Sequence, residues 1–108
     1  MKNKELIMQL VREELRNKRL IYSLEDMGFD CSMYAMNISC KIIQLAGYAD
    51  LNDELLEWYH ELIDEALKEI NVWNLEEMIR KCAEMIYLQL DEKKQALELA
   101  GLAAVRNR

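Results

Sequence analysis

The chain carries a single histidine, His60, with Glu57 three residues before it and Asp64 four residues after it. At helical pitch these three side chains share one flank of a helix. Glu57-x-x-His60 has the spacing of the element found in di-iron carboxylate bundles, which need two such elements and two further inward glutamates. One histidine supplies half of that set. A single chain therefore cannot assemble the full site, and only a symmetric pair of copies would complete it. His60 also lies at the edge of an apolar stripe, beside Leu56, Ile63 and Leu67. A half-exposed imidazole bonded to a neighbouring carboxylate is the simpler expectation, so no metal is assigned to Glu57, His60 and Asp64.

Sulfur is the second candidate chemistry. Met33, Met36 and Cys40 occupy a narrow arc at helical pitch, and Cys82 lies mid-stripe further on. Soft ligands of this kind suit Cu(I). Methionine and cysteine are also ordinary core fillers, and the spacing is simply the helical repeat. The three cysteines, Cys31, Cys40 and Cys82, have neither CxxC spacing nor an even count. Reduced thiols in a cytoplasmic protein are expected. A cysteine nucleophile would need a base and an activating environment, and His60 is the one imidazole on offer. The sequence contains no glycine-rich phosphate loop, no GxSxG elbow and no HExxH. We expect no catalytic residues, no cofactor and no enzymatic activity.

The third candidate is electrostatic. Arg12, Arg16 and Arg19 share the outer face of the first helix and could grip phosphates. The formal net charge of −6 opposes bulk attraction to nucleic acid or to an anionic membrane. The arginines are better matched to the acidic third segment, which holds Asp50, Asp53, Glu54, Glu57, Glu61, Asp64, Glu65 and Glu69 against Lys68. Neither a nucleic-acid nor a membrane partner is expected. The amphipathic N-terminus is not a secretory signal, and no apolar run is long enough to span a bilayer.

The elements that must position these groups are helices. Prolines are absent, there are three glycines, and 52% of residues are hydrophobic against 31% charged. Strand-rich domains need frequent Gly and Pro turns. Apolar periodicity predicts helices over about 4–27, 31–46, 53–70 and 75–100. Asn3, Asp30, Asn52 and Asn74 stand as N-caps, and Gly28 and Gly47 as C-terminal stops. Asn74 and Glu77 suggest a capping box. Phe29/Tyr34, Leu51/Leu56 and Trp73/Met78 have staple spacing. Gly101 is either the end of the last helix or a weak point within it. The connections are short, so sequential helices should be antiparallel neighbours. The expected fold is all-α: a single-domain, antiparallel up-down-up-down four-helix bundle over 1–108.

Two helices break the pattern. In the first, Glu14 and Asn17 fall on the apolar meridian of Leu10 and Ile21. A buried carboxylate there needs a partner. Pairing to a cation is one reading, and a polar device that fixes register or oligomeric state is the other. The second helix carries apolar residues on two sides: Phe29, Met33, Met36, Cys40 and Ile43 on one, Tyr34, Ile38, Ile42, Leu45 and Ala49 on the other. A bundle helix normally has one stripe. Either the ends of helices 1 and 4 wrap helix 2, or its second stripe is an interface. The functional expectation follows from the latter. The chain is read as a non-enzymatic interaction or regulatory module that forms a homodimer, or binds another protein, through Tyr34, Ile38, Ile42 and Leu45. The alternative is a metal- or small-ligand-binding bundle that uses the Glu57/His60/Asp64 group or the Met/Cys cluster.

Overall fold

The computed structural model describes residues 3–31, 36–48 and 52–106. Four helices form one all-α globule, with no strand among the described residues: α1 (Lys4–Asp26), α2 (Met36–Leu45), α3 (Asp53–Glu69) and α4 (Leu75–Arg106). No helix among the described residues is long and apolar enough to cross a membrane.

Backbone chemistry at the helix ends explains most of the boundaries. The Asn52 side chain accepts the Leu55 N–H at 2.8 Å, which satisfies one orphan donor of α3. Gly28 (φ 98°) and Gly47 (φ 85°) occupy the left-handed region that an L side chain avoids. Each closes a Schellman motif. Phe29 N–H reaches Leu24 C=O while Gly28 N–H reaches Glu25 C=O, and Tyr48 and Gly47 repeat the pattern onto Ile43 and Gln44.

Other ends depart from expectation. Asn3 is left-handed (φ 67°) and makes no side-chain cap; its carbonyl takes the Ile7 N–H. Cys31 lies outside a helix, and Phe29 is exposed. The partner Tyr34 in its expected staple, like Leu51 of the α3 staple, falls outside the described residues, as do Met33 and Ala49. At α4 the capping box is replaced. The Asn71 side chain accepts N–H groups from Trp73 and Asn74, while Asn74 Oδ1 accepts the Asn71 N–H. Glu77 pairs instead with Lys81 at 3.0 Å. Trp73 points outward and staples nothing. α4 continues through Gly101 because alanines on both sides favour helix strongly enough to offset about 1 kcal/mol for one glycine.

The core joins Ile7, Val11 and Leu15 of α1, Ile42 and Ile43 of α2, Tyr59 and Ile63 of α3, and Ile79, Ala83 and Leu90 of α4. α1 packs against all three other helices, α2 also against α3, and α3 against α4. Lys4 stacks over Tyr87 and Arg16 pairs with Glu76, while Lys93 stacks over Trp58. These pairs set a stagger. α4 has 32 residues, about 48 Å at 1.5 Å per residue. The molecule is 54 Å in its longest dimension. Residues 95–101 are exposed where α4 runs past the start of α1.

Replacing Gly28 with alanine is expected to cost about 1–2 kcal/mol, because left-handed backbone penalises a Cβ even where nothing else stands within 4 Å. Asn52→Ala should cost about 1 kcal/mol through loss of its cap. Urea denaturation midpoints of the two variants measure both.

Candidate functional site

Helical pitch on α1 puts Glu14 on the same buried side as Val11 and Leu15. On α2, Ser39 precedes Ile42 and Ile43 by three and four residues and so shares their buried side. On α3, Tyr59 sits four residues from both Leu55 and Ile63, in the middle of the stripe, with His60 beside it on the flank. Three helices thus bring four polar side chains together inside the core.

Glu14 is 1% exposed. Ser39 Oγ–H donates to its Oε2 at 2.5 Å, and the Tyr59 hydroxyl donates to its Oε1. Ser39 Oγ also lies 3.0 Å from His60 Nε2. Ser39 and Tyr59 are fully buried, while His60 is partly exposed. No cationic nitrogen lies within ion-pair distance of Glu14 among the described residues, so hydroxyl groups rather than a salt bridge satisfy it. Lys18, one turn along α1, is itself buried, with its ammonium 5.7 Å from the centre of the Tyr22 ring. The Tyr22 hydroxyl donates to Asp64 Oδ1 at 2.5 Å. Asn17, expected near the core, is exposed.

Burial dominates the electrostatics. Desolvation raises the Glu14 carboxyl above its ordinary range, against the lowering effects of the Ser39 and Tyr59 hydrogen bonds and the Lys18 charge. The Tyr59 phenol is pushed well up by burial and then by the Glu14 charge it faces. His60 is lowered by desolvation and by Lys18, with Asp64 acting the other way. Tyr22 is pushed up to about 12, by desolvation first and then by its bond to Asp64.

The arrangement is not a nucleophilic triad. In a Ser-His-acid relay the carboxylate backs the histidine, and the serine faces substrate. Here the carboxylate backs the serine, and that serine is sealed from solvent. Metal chemistry finds no nest either. Among the described residues no three His, Cys, Asp or Glu side chains are grouped to hold an ion. Glu57 is exposed, Asp64 is bonded by Tyr22, and His60 Nε2 turns toward Ser39. Cys31 and Cys82 are buried, Cys40 is half-buried, and all three are free thiols. The Met36 side chain is outside the described residues.

The apolar faces are also rearranged relative to expectation. Ile42 and Ile43, one from each stripe of α2, are both buried by this same chain, and Ile38 and Leu45 are half-buried against its core. Ile42 is therefore covered by this chain, with α2 packed against α1 and α3, while Ile38 and Leu45 keep partial exposure. Tyr34 is outside the described residues. The exposed apolar surface lies elsewhere. Trp73 is 93% exposed next to exposed Val72, and Met85, Leu88 and Leu99 are exposed along α4. An apolar groove of about 380 Å³ runs along α1 between Asn17, Leu20, Ile21, Leu24 and Cys31. Arg16 meets Glu76 of α4, not the acidic face of α3.

Sequence reading singled out Glu14 and His60 but not the residues that join them. Ser39 carried a usable signal, since a serine one turn before Ile42 and Ile43 must be inside. Tyr59 has the spacing of the α3 stripe, and that spacing carries no sign of a role for its hydroxyl. Comparison with known proteins returns nothing: no family model, no curated protein and no solved structure matches the chain.

A carboxyl raised in the folded state holds a proton that the unfolded chain has released. Its contribution to stability is full below pH 4.5 and is lost as pH rises through the folded-state value. His60, lowered, contributes above pH 6.5 and loses that contribution as pH falls through its folded-state value. The stability of Glu14→Gln relative to wild type should therefore climb as pH rises from 4.5, then level off; denaturant midpoints across that range read the slope. Tyr59→Phe should cost about 1–3 kcal/mol at pH 8, where an ionised buried carboxylate loses a donor. The same variant should cost less at pH 4, where the protonated carboxyl needs fewer donors.

Proposed function

We propose that this protein is a non-enzymatic interaction module that self-associates, with Trp73 as its anchor. The single observation behind this reading is the exposure of Trp73. An indole is the largest apolar side chain and the type most enriched at binding hot spots. Here it projects from a turn held by reciprocal Asn71 and Asn74 hydrogen bonds, so little ordering is left to do on binding.

The Arg16–Glu76 pair sets the start of α4 beside the middle of α1. The Trp73 turn and the apolar groove over Leu20, Ile21 and Leu24 then share one end of the molecule. A twofold axis would let the Trp73 of each copy enter the groove of the other, a closed isologous contact of the commonest oligomer type. The interface of this reading is therefore the Trp73 turn and the α1 groove, and the Ile42 flank of α2 stays inside. The pairs Lys4–Tyr87, Arg16–Glu76, Tyr22–Asp64 and Trp58–Lys93 support an up-down-up-down order of the four helices. Free thiols at Cys31, Cys40 and Cys82 fit a reducing, cytoplasmic setting. The sealed position of Ser39 supports a role without catalysis.

Light scattering over a concentration series should show the mass rising from one chain to two. Trp73→Ala should weaken that association by about 2 kcal/mol or more, roughly a 30-fold higher Kd. In a Trp58→Phe background, Trp73 is the sole indole, and its emission should shift to the blue over the same concentrations. A constant single-chain mass, with emission that stays typical of water-exposed tryptophan, would overturn the reading.

A further inference from the structure

We infer that Glu14, Ser39 and His60 form a proton wire from the partly exposed flank of α3 to the core. A proton taken up at His60 is delivered to Glu14, and every hydrogen bond along the wire reverses direction.

The geometry carries this. Ser39 Oγ stands 2.5 Å from Glu14 Oε2 and 3.0 Å from His60 Nε2, so one hydroxyl touches both titratable groups. Glu14 has no route to solvent of its own, being 1% exposed. His60 is partly exposed, and its Nδ1 has no hydrogen-bond partner among the described residues.

With Glu14 ionised, Ser39 donates to Glu14 and accepts from His60 Nε2–H. Nδ1 is then the bare nitrogen. A solvent proton binds there, the Nε2 proton passes to Ser39 Oγ, and the Ser39 proton passes to Glu14 Oε2. One proton has entered and Glu14 has become neutral. His60 is neutral again but has changed tautomer, with the proton on Nδ1. Ser39 now accepts from the Glu14 carboxyl and donates to Nε2. Tyr59 keeps its bond to Oε1 in both states.

The surrounding charges leave this exchange open. From α1, buried Lys18 favours ionised Glu14 and opposes a cationic His60. From α3, Asp64 favours the cation, but it is exposed and bonded by Tyr22. α2 brings Ser39 and half-buried Cys40, with Lys41 exposed. The buried face of α4 brings neutral groups alone, among them Cys82 and Tyr87, whose proton losses are pushed up by burial. Burial raises the carboxyl and lowers the imidazole, so desolvation shifts the two titrations in opposite senses. Ser39 also ties α2 to α1 and α3 at once, and both of its bonds persist, reversed, after the transfer.

The test uses the intact protein labelled with ¹⁵N and ¹³C, in which the single histidine gives an unambiguous ring signal. As the Glu14 carboxyl carbon titrates, the two ring nitrogens of His60 should exchange their protonated and bare chemical shifts. In Ser39→Ala this exchange should vanish, and in Glu14→Gln one tautomer should persist throughout the range in which the imidazole is neutral. If His60 keeps one tautomer through the Glu14 titration, the wire does not exist. The same conclusion follows if the exchange survives in Ser39→Ala. Should Ser39→Ala not fold, the wild-type titration and Glu14→Gln decide the matter.

Discussion

A carboxylate inside a small apolar core is the constraint around which this structure is arranged. An unpaired buried charge costs far more than a single hydrogen bond returns. Glu14 is tolerable because donors reach it from two other helices, Ser39 of α2 and Tyr59 of α3. Those bonds hold only if the three helices keep their relative rotation and register. A slip of α2 by one residue would move Ser39 away and bring an apolar side chain to the carboxylate. The polar cluster therefore acts on specificity: it selects one packing among the many that leucine and isoleucine alone would permit.

That constraint also explains how α2 is used. It is a short helix in the described residues, and it carries apolar residues on both sides. Once Ser39 is drawn inward to Glu14, Ile42 and Ile43 straddle the contact and both are covered. The broad apolar character of the segment is then the mark of a helix inserted into the core, with its own chain on either side. Much of the exposed apolar surface lies where the helices fail to match in length. α4 outruns α1 at one end, and the Asn71–Asn74 turn pushes Trp73 out at the other.

The histidine illustrates how a local reading goes astray. Along α3 alone, His60 lies between Glu57 and Asp64, and its natural partner is one of these carboxylates. In three dimensions Asp64 is occupied by Tyr22 from α1, and His60 meets a serine from α2. Both partners come from helices more than twenty residues away in sequence, and helical periodicity carries no information about which residue of a neighbouring helix arrives opposite.

The amino-acid sequence by itself determined the helical class, the count of four helices and most of their limits. Those depend on short-range chemistry: the 3.6-residue repeat, the Asn52 cap, and two glycines placed where the backbone turns left-handed. It also exposed the anomaly of Glu14 on an apolar meridian. Only the tertiary structure decided what answers that anomaly, which flank of α2 is covered, and that Trp73 stands free. Those outcomes depend on the rotation and stagger of whole helices against one another. Packing across the entire core sets these together, and no window of sequence contains them.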